Sequence, residues 1–303
     1  MPWIQLRLQP RADQVDHFAE QLSELGAVAV SMEDAGDQPI YEPAPGATDL
    51  WADTLVCGLF SGECVPNTLI DRLTALNAPQ PLPPYRFEEL ADQQWERAWM
   101  DDYKPMRFGE RLWICPSHMP PPDPEGINIS LDPGLAFGTG THATTALCLE
   151  YLAAHPPENQ YVIDFGCGSG ILAIAAAKLG AKHIWAVDHD AQAITATIEN
   201  ARVNKVDLKI STCEPEALEN GRHDLIAANI LAQPLIELCP LFHALLRPGG
   251  RFVISGILAE QSADVLTQYR KFFEVEEIQQ REAWCCIHGV KPDGESQHRH
   301  RSP

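Results

Sequence analysis

The chain has 303 residues, 45% of them hydrophobic, and 42 acidic against 22 basic side chains give a net charge of −20. That length suffices for a large core divided between two domains, and no apolar run approaches the roughly 20 residues of a membrane span. The acidic balance speaks against direct nucleic-acid binding, which needs clustered Lys and Arg, and suits a cationic ligand or a basic protein.

The first residues, Met-Pro-Trp-Ile-Gln-Leu-Arg, lack an apolar stretch behind a basic one, so no signal peptide is read there. Residues 3–8 alternate as a half-buried strand. Residues 12–25 follow at helical spacing with Val15, Phe18, Leu22 and Leu25 on one stripe and Gly26 as the stop. Strands are expected over 27–32 and 54–60, separated by a Gly-, Pro- and Asp-bearing loop over 36–50. A second helix over 66–76 carries Leu69, Leu73 and Leu76 on one face, and a strand over 85–90 closes the unit. The order βαββαβ predicts a ferredoxin-like α+β domain over residues 1–90. Its first 60 residues hold ten acids and two bases, a net of −8, which makes the module a candidate docking surface for something basic. Residues 91–104 are expected to form a linker helix, with Trp95 and Trp99 sharing one face.

Short strands are expected at 112–115 and 127–131, broken by the prolines of 120–124. Residues 131–145, Leu-Asp-Pro-Gly-Leu-Ala-Phe-Gly-Thr-Gly-Thr-His-Ala-Thr-Thr, look superficially like a phosphate loop. No Lys follows the last glycine, so that reading fails. Three glycines, Phe137 and several hydroxyls leading into a helix suit a loop folded over a cofactor.

From residue 142 the pattern becomes regular. Helices are expected over 142–154, 170–179, 191–204, 231–246 and 259–271, and strands over 161–165, 183–188, 207–211, 224–229, 251–256, 273–278 and 284–289. That alternation predicts a doubly wound α/β sheet over residues 105–290. The short turn between the last two strands forces them to be antiparallel. Residues 291–303 are polar and expected to be disordered. Nine cysteines without a Cys-x-x-Cys pair read as reduced thiols of a cytoplasmic protein, with neither a disulfide frame nor a metal site.

The first strand of this region runs into Asp-Phe-Gly-Cys-Gly-Ser-Gly (164–170). Gly166, Gly168 and Gly170 let the backbone turn sharply and approach a ligand, at the N-terminus of a new helix. Dinucleotides and S-adenosylmethionine both use such turns. Asp188 ends the next strand about 20 residues on, where a carboxylate accepts hydrogen bonds from ribose hydroxyls, while Asp190 begins the following helix and suits a cap. Asp164 stands where dehydrogenase fingerprints are apolar. An acid there fits a cofactor with an α-ammonium group and a sulfonium, and with the terminal hairpin it favours S-adenosylmethionine over NAD. Asn229 closes the fourth strand, at the sheet edge where ligands bind, and can offer an amide carbonyl to an amine. It is followed by Ile-Leu-Ala, without the aromatic of the Asn-Pro-Pro-Tyr run common in amino-methylating enzymes. Leu-Arg-Pro-Gly-Gly (246–250) is a tight turn entering the fifth strand.

Taken together, these segments and Met-Arg-Phe-Gly-Glu-Arg-Leu-Trp-Ile-Cys-Pro (106–116) closely resemble the PrmA family, class I methyltransferases acting on ribosomal large-subunit protein eleven. The likeness covers residues 1 to about 289. The family usually has Pro where Ala143 stands, so the helix start is less rigid here. The resemblance implies S-adenosylmethionine binding through Thr145, Gly166, Asp188 and Asn229, with Phe137 near the reacting amine. It also implies an N-terminal domain that grips the ribosomal protein, a linker that lets it swing, and trimethylation of lysines and of the N-terminal α-amine. Asp164, Gly168 and Gly170 complete the expected cofactor set, and a monomer is expected.

The chemistry needs little beyond alignment, because the sulfonium carries an activated leaving group. The amine must first be neutral. At pH 7 that costs about 4–5 kcal/mol for a lysine and about 1 kcal/mol for an α-amine. No residue stands out as a general base; His142 could serve, or act as a loop or cap residue. Three other readings remain open: a methyltransferase for small molecules, a non-catalytic binder of an adenosine ligand, and an NAD dehydrogenase.

Overall fold

The computed structural model describes residues 3–36, 51–90, 103–132 and 140–293 and falls into two units, Met1–Trp99 and Met100–Pro303. In the smaller unit, β1 (Trp3–Leu8) alternates as its sequence requires, with Leu6 and Leu8 fully buried. The chain continues through α1 (Val15–Glu24), β2 (Ala29–Asp34), β3 (Thr54–Ser61), α2 (Pro66–Asn77) and β4 (Tyr85–Leu90). The sheet order is β2-β3-β1-β4, all antiparallel, which is the ferredoxin-like arrangement. Val15, Phe18 and Leu22 of α1 and Leu69 and Leu73 of α2 close the core against β1 and β3. Gly26, at φ 96°, ends the turn after α1.

Leu76 departs from the expected stripe and is 54% exposed. The last turn of α2 is held instead by Asn77, whose Nδ2 donates to the carbonyl of Leu73 and to Gln21 Oε1. Much of the 36–50 loop and all but the end of the expected linker helix lie outside the described residues. Tyr103 and Lys104 are described and lie in no helix.

The larger unit opens with β5 (Met106–Phe108), β6 (Leu112–Cys115) and β7 (Ile127–Ser130), a small sheet whose first strand the periodicity did not reveal. Then follow α3 (Ala143–Ala154), β8 (Tyr161–Phe165), α4 (Ile171–Lys178), β9 (His183–Val187), α5 (Ala191–Val203), β10 (Ile210–Cys213), β11 (His223–Asn229), α6 (Ala232–Leu245), β12 (Leu246–Leu258), α7 (Ser262–Tyr269), β13 (Glu274–Arg281) and β14 (Trp284–Val290). Several boundaries differ from the sequence reading: α7 starts only at Ser262, after a 3-10 turn over Ala259–Gln261, and β13 runs on to Arg281. Residues 207–209 form a 3-10 turn, so β10 starts later, and β12 begins already at Leu246, taking in the Pro-Gly-Gly turn.

The seven strands run in the order β10-β9-β8-β11-β12-β14-β13. The first five are parallel, and β14 pairs antiparallel with both β12 and β13. This is the doubly wound sheet with a terminal antiparallel hairpin that was expected. Its two faces are buried under separate cores, one built on α3 and α4, the other on α6 and α7. Successive strands are added on opposite sides of β8, so a crevice opens where β8 meets β11, beyond their carboxyl ends.

In the second core, Phe252 is fully buried, with ring centroids 5.1 Å from Tyr269 and 4.8 Å from Phe273. Phe252→Ala is expected to destabilise the protein by about 3–5 kcal/mol in urea unfolding; a loss below about 1 kcal/mol would show that this face of the sheet repacks freely.

Candidate active site

Parallel register brings the chemistry together. Asp164 lies level with Ala186 on one side and Ala227 on the other, and Phe165 lies level with Val187 and Ala228. Asp188 and Asn229 each stand one residue beyond those partners, so both flank the glycine turn that follows β8. The turn is tied down from two directions. Gly166 N and Cys167 N both donate to Val187 O, at 2.8 and 3.0 Å, and from α5 Thr197 Oγ1 donates to Gly168 O and Asn200 Nδ2 to Ser169 O, at 3.1 and 2.8 Å.

A cleft of about 500 Å³ opens over this turn, within the range of small-molecule sites. Thr145, Asp164, Gly166, Gly168, Asp188 and Asn229 all line it. Gly170 does not. It caps α4 behind the cleft, and a Cβ there would meet Thr197 at 2.9 Å, so its contribution is to let α5 pack close under the turn. Phe137 lies outside the described residues.

Asp164 is 1% exposed. Its Oδ2 accepts from Ala173 N at 2.8 Å, whereas its Oδ1 is buried with no partner among the described residues. Burial, with a smaller contribution from Asp188, pushes this carboxyl up to about 8. A perturbed, half-satisfied carboxyl in a cleft is the physical signature of a candidate functional position. Asp188 accepts from Gly168 N at 3.1 Å through Oδ2 and from Asp190 N at 3.0 Å through Oδ1. A carboxylate has about four acceptor sites, so it retains capacity for two hydroxyl donors. Asp190 is a helix cap, accepting from Gln192 N at 2.8 Å. Asn229 Nδ2 donates to the buried Thr145 hydroxyl at 3.0 Å, which leaves the amide carbonyl as its available end.

Several contributors were not visible in the sequence. Trp284, at the start of β14, lines the cleft and stands edge-on to His142, centroids 4.9 Å apart. His142 is the cap of α3: its Nδ1 accepts from Thr144 N at 3.4 Å and lies 2.8 Å from Thr144 Oγ1. The Nδ1 side of the ring is thus engaged at the start of the helix. Ile230, Leu231, Pro234 and Leu238 form an apolar wall. Among the described residues lining the cleft, the ionisable groups are Asp164, Asp188, His142, His189 and the Cys167 thiol, which burial pushes up; none is Lys or Arg.

The sequence matches the profile of the ribosomal protein L11 methyltransferase family (PrmA) over residues 2–292. The chain belongs to this family. It is 51% identical to the ribosomal protein L11 methyltransferase of Nitrosococcus oceani over 289 residues, covering 95% of this chain and 99% of that one. It is 48% identical to that of Sodalis glossinidius, covering 96% and 100%. Among solved structures, the ribosomal protein L11 methylase of Lactobacillus delbrueckii subsp. bulgaricus superposes with a TM-score of 0.58 at 34% identity, covering 63% of this chain and 100% of that one.

A carboxyl near 8 holds its proton at neutral pH. A ligand ammonium seated on it would favour the ionised form, so binding would release a proton. Calorimetry of S-adenosylmethionine binding at pH 7, in buffers of different ionisation enthalpy, is expected to show release approaching one proton, with affinity rising between pH 6 and 7.5. Asp164→Asn should abolish the release and weaken binding by about 1.5–3 kcal/mol, the worth of a charged hydrogen bond. Unchanged proton release in the variant would remove Asp164 from the site.

Proposed function

We propose that this chain is an S-adenosylmethionine-dependent methyltransferase acting on ribosomal protein L11, and that it carries lysine side-chain amines and the N-terminal α-amine through to trimethylation. The observation that carries this reading is the acidity of the cleft: the Asp188 carboxyl, a buried Asp164 carboxyl with one unpartnered oxygen that a ligand cation would ionise, and no lining Lys or Arg among the described residues. A pyrophosphate would meet repulsion there, whereas a sulfonium and an α-ammonium would be attracted. Membership in the L11 methyltransferase family supplies the substrate.

The residues fit the cofactor part by part. Asp188 would hold the ribose hydroxyls, Asp164 Oδ1 the α-ammonium, and Gly166 and Gly168 allow the close approach of the chain. The cofactor supplies an activated methyl group, so the protein's task is to present a neutral amine in line with it. The Asn229 carbonyl accepts an amine N–H and orients the lone pair, with the amide fixed by Thr145. The apolar wall of Ile230, Leu231 and Leu238 disfavours the charged amine, lowering the cost of deprotonation. Asp188, which would favour the ammonium form, stands two strands away, just past the end of β9. The acidic module of residues 1–90 is assigned to recognition of the basic protein, residues 91–104 to the linker, and residues 105–290 to catalysis, in the cytoplasm.

The test is an intact-mass assay with S-adenosylmethionine and purified unmodified L11. Stepwise gains of one methylene each are expected, lost or greatly reduced with Asn229→Ala. If the protein binds the cofactor yet leaves L11 unchanged, the substrate assignment is wrong and another amine is the acceptor.

A further inference from the structure

Ile230 follows Asn229 directly and is enclosed by two glycines that are far apart in sequence. Gly256 lies at φ 88°, where the register of β12 against β14 shifts between Ser255 and Ile257. A Cβ at position 256 would collide with the backbone of Ile230, reaching its carbonyl oxygen inside contact distance, its carbonyl carbon at 2.7 Å and its nitrogen at 3.1 Å. Gly166, at φ 75°, faces the other side of the same residue: a Cβ there would collide with Ile230 Cγ2. The remaining freedom is taken up by the backbone, since Ile230 N donates to Ser255 O at 3.2 Å. Gly166, Ile230 and Gly256 all line the cleft.

We propose that Gly256 and Gly166 are positioning residues: they clamp Ile230 between β8 and β12 and so fix the Asn229 carbonyl for the amine. This rests on the reading of Asn229 as the amine acceptor. The two contacts differ in kind. Gly256 meets Ile230 backbone, which cannot be trimmed away, whereas Gly166 meets a side-chain methyl, which can. Asp164, Asp188 and Gly168 touch Ile230 through none of these contacts, so displacing it should disturb the amine more than the cofactor.

The experiment measures kcat on L11, the Kd for S-adenosylmethionine and Tm for full-length Asn229→Ala, Gly256→Ala, Gly166→Ala and the double variants of each glycine with Ile230→Ala. Gly256→Ala is expected to lower kcat about tenfold or more, with cofactor Kd within about threefold of the parent, and Ile230→Ala should not restore it. In the Gly166→Ala background, Ile230→Ala should recover part of the lost kcat, because it removes the methyl that the new Cβ strikes. Full kcat in Gly256→Ala, or equal losses of kcat and cofactor affinity with a lowered Tm, would overturn the clamp. Where Gly256→Ala does not fold, the Gly166 pair decides, and absence of recovery there overturns the proposal. Parental turnover in Asn229→Ala would instead overturn the reading of the site beneath it.

Discussion

The pairing of β8 with β9 on one side and β11 on the other is the constraint on which the site depends. Parallel strands in register end level with one another, so residues separated by some 20 to 65 positions along the chain arrive at one edge. Asp188 and Asn229 each lie one residue beyond a strand partner of β8, and the glycine turn fills the space between them. The cores on both faces of the sheet hold that register. A slip of one residue would turn Asp164 away and bring an apolar neighbour, Ile163 or Phe165, in its place.

The second constraint is electrostatic. Burying Asp164 with only one of its oxygens hydrogen-bonded within the protein is unfavourable for its charged form, and the carboxyl responds by holding its proton up to about 8. A cation seated in the cleft would offset that cost, so the role proposed for Asp164 couples an unfavourable burial to selectivity for the ligand. The chain's overall charge of −20 points the same way, toward a cationic cofactor and a basic protein partner.

Much of this was legible in the sequence, for identifiable reasons. Local signals carried the glycine turn, the acidic end of β9, the Asn229 position and the Asp190 cap, because each depends on residues a few positions apart. The antiparallel hairpin followed from a turn too short for a crossover. What escaped depends on tertiary neighbours. Gly170 resembles its companions in the motif, yet its side faces Thr197 and not the cleft. Trp284 and His142 meet from segments about 140 residues apart, and Gly256 matters only because β12 brings it against Ile230. Leu76 fits a helical stripe but falls in the last turn of α2, where Asn77 makes the inward contacts. Spacing within a helix cannot report where its packing partner stops.

The most direct test of the account is a crystal structure of the full-length protein with S-adenosylmethionine. The account predicts ribose hydroxyls on Asp188, the α-ammonium against Asp164 Oδ1, and the sulfonium methyl directed toward the Asn229 carbonyl. A cofactor bound with its ammonium away from Asp164, or with its methyl group facing away from Asn229, would contradict it.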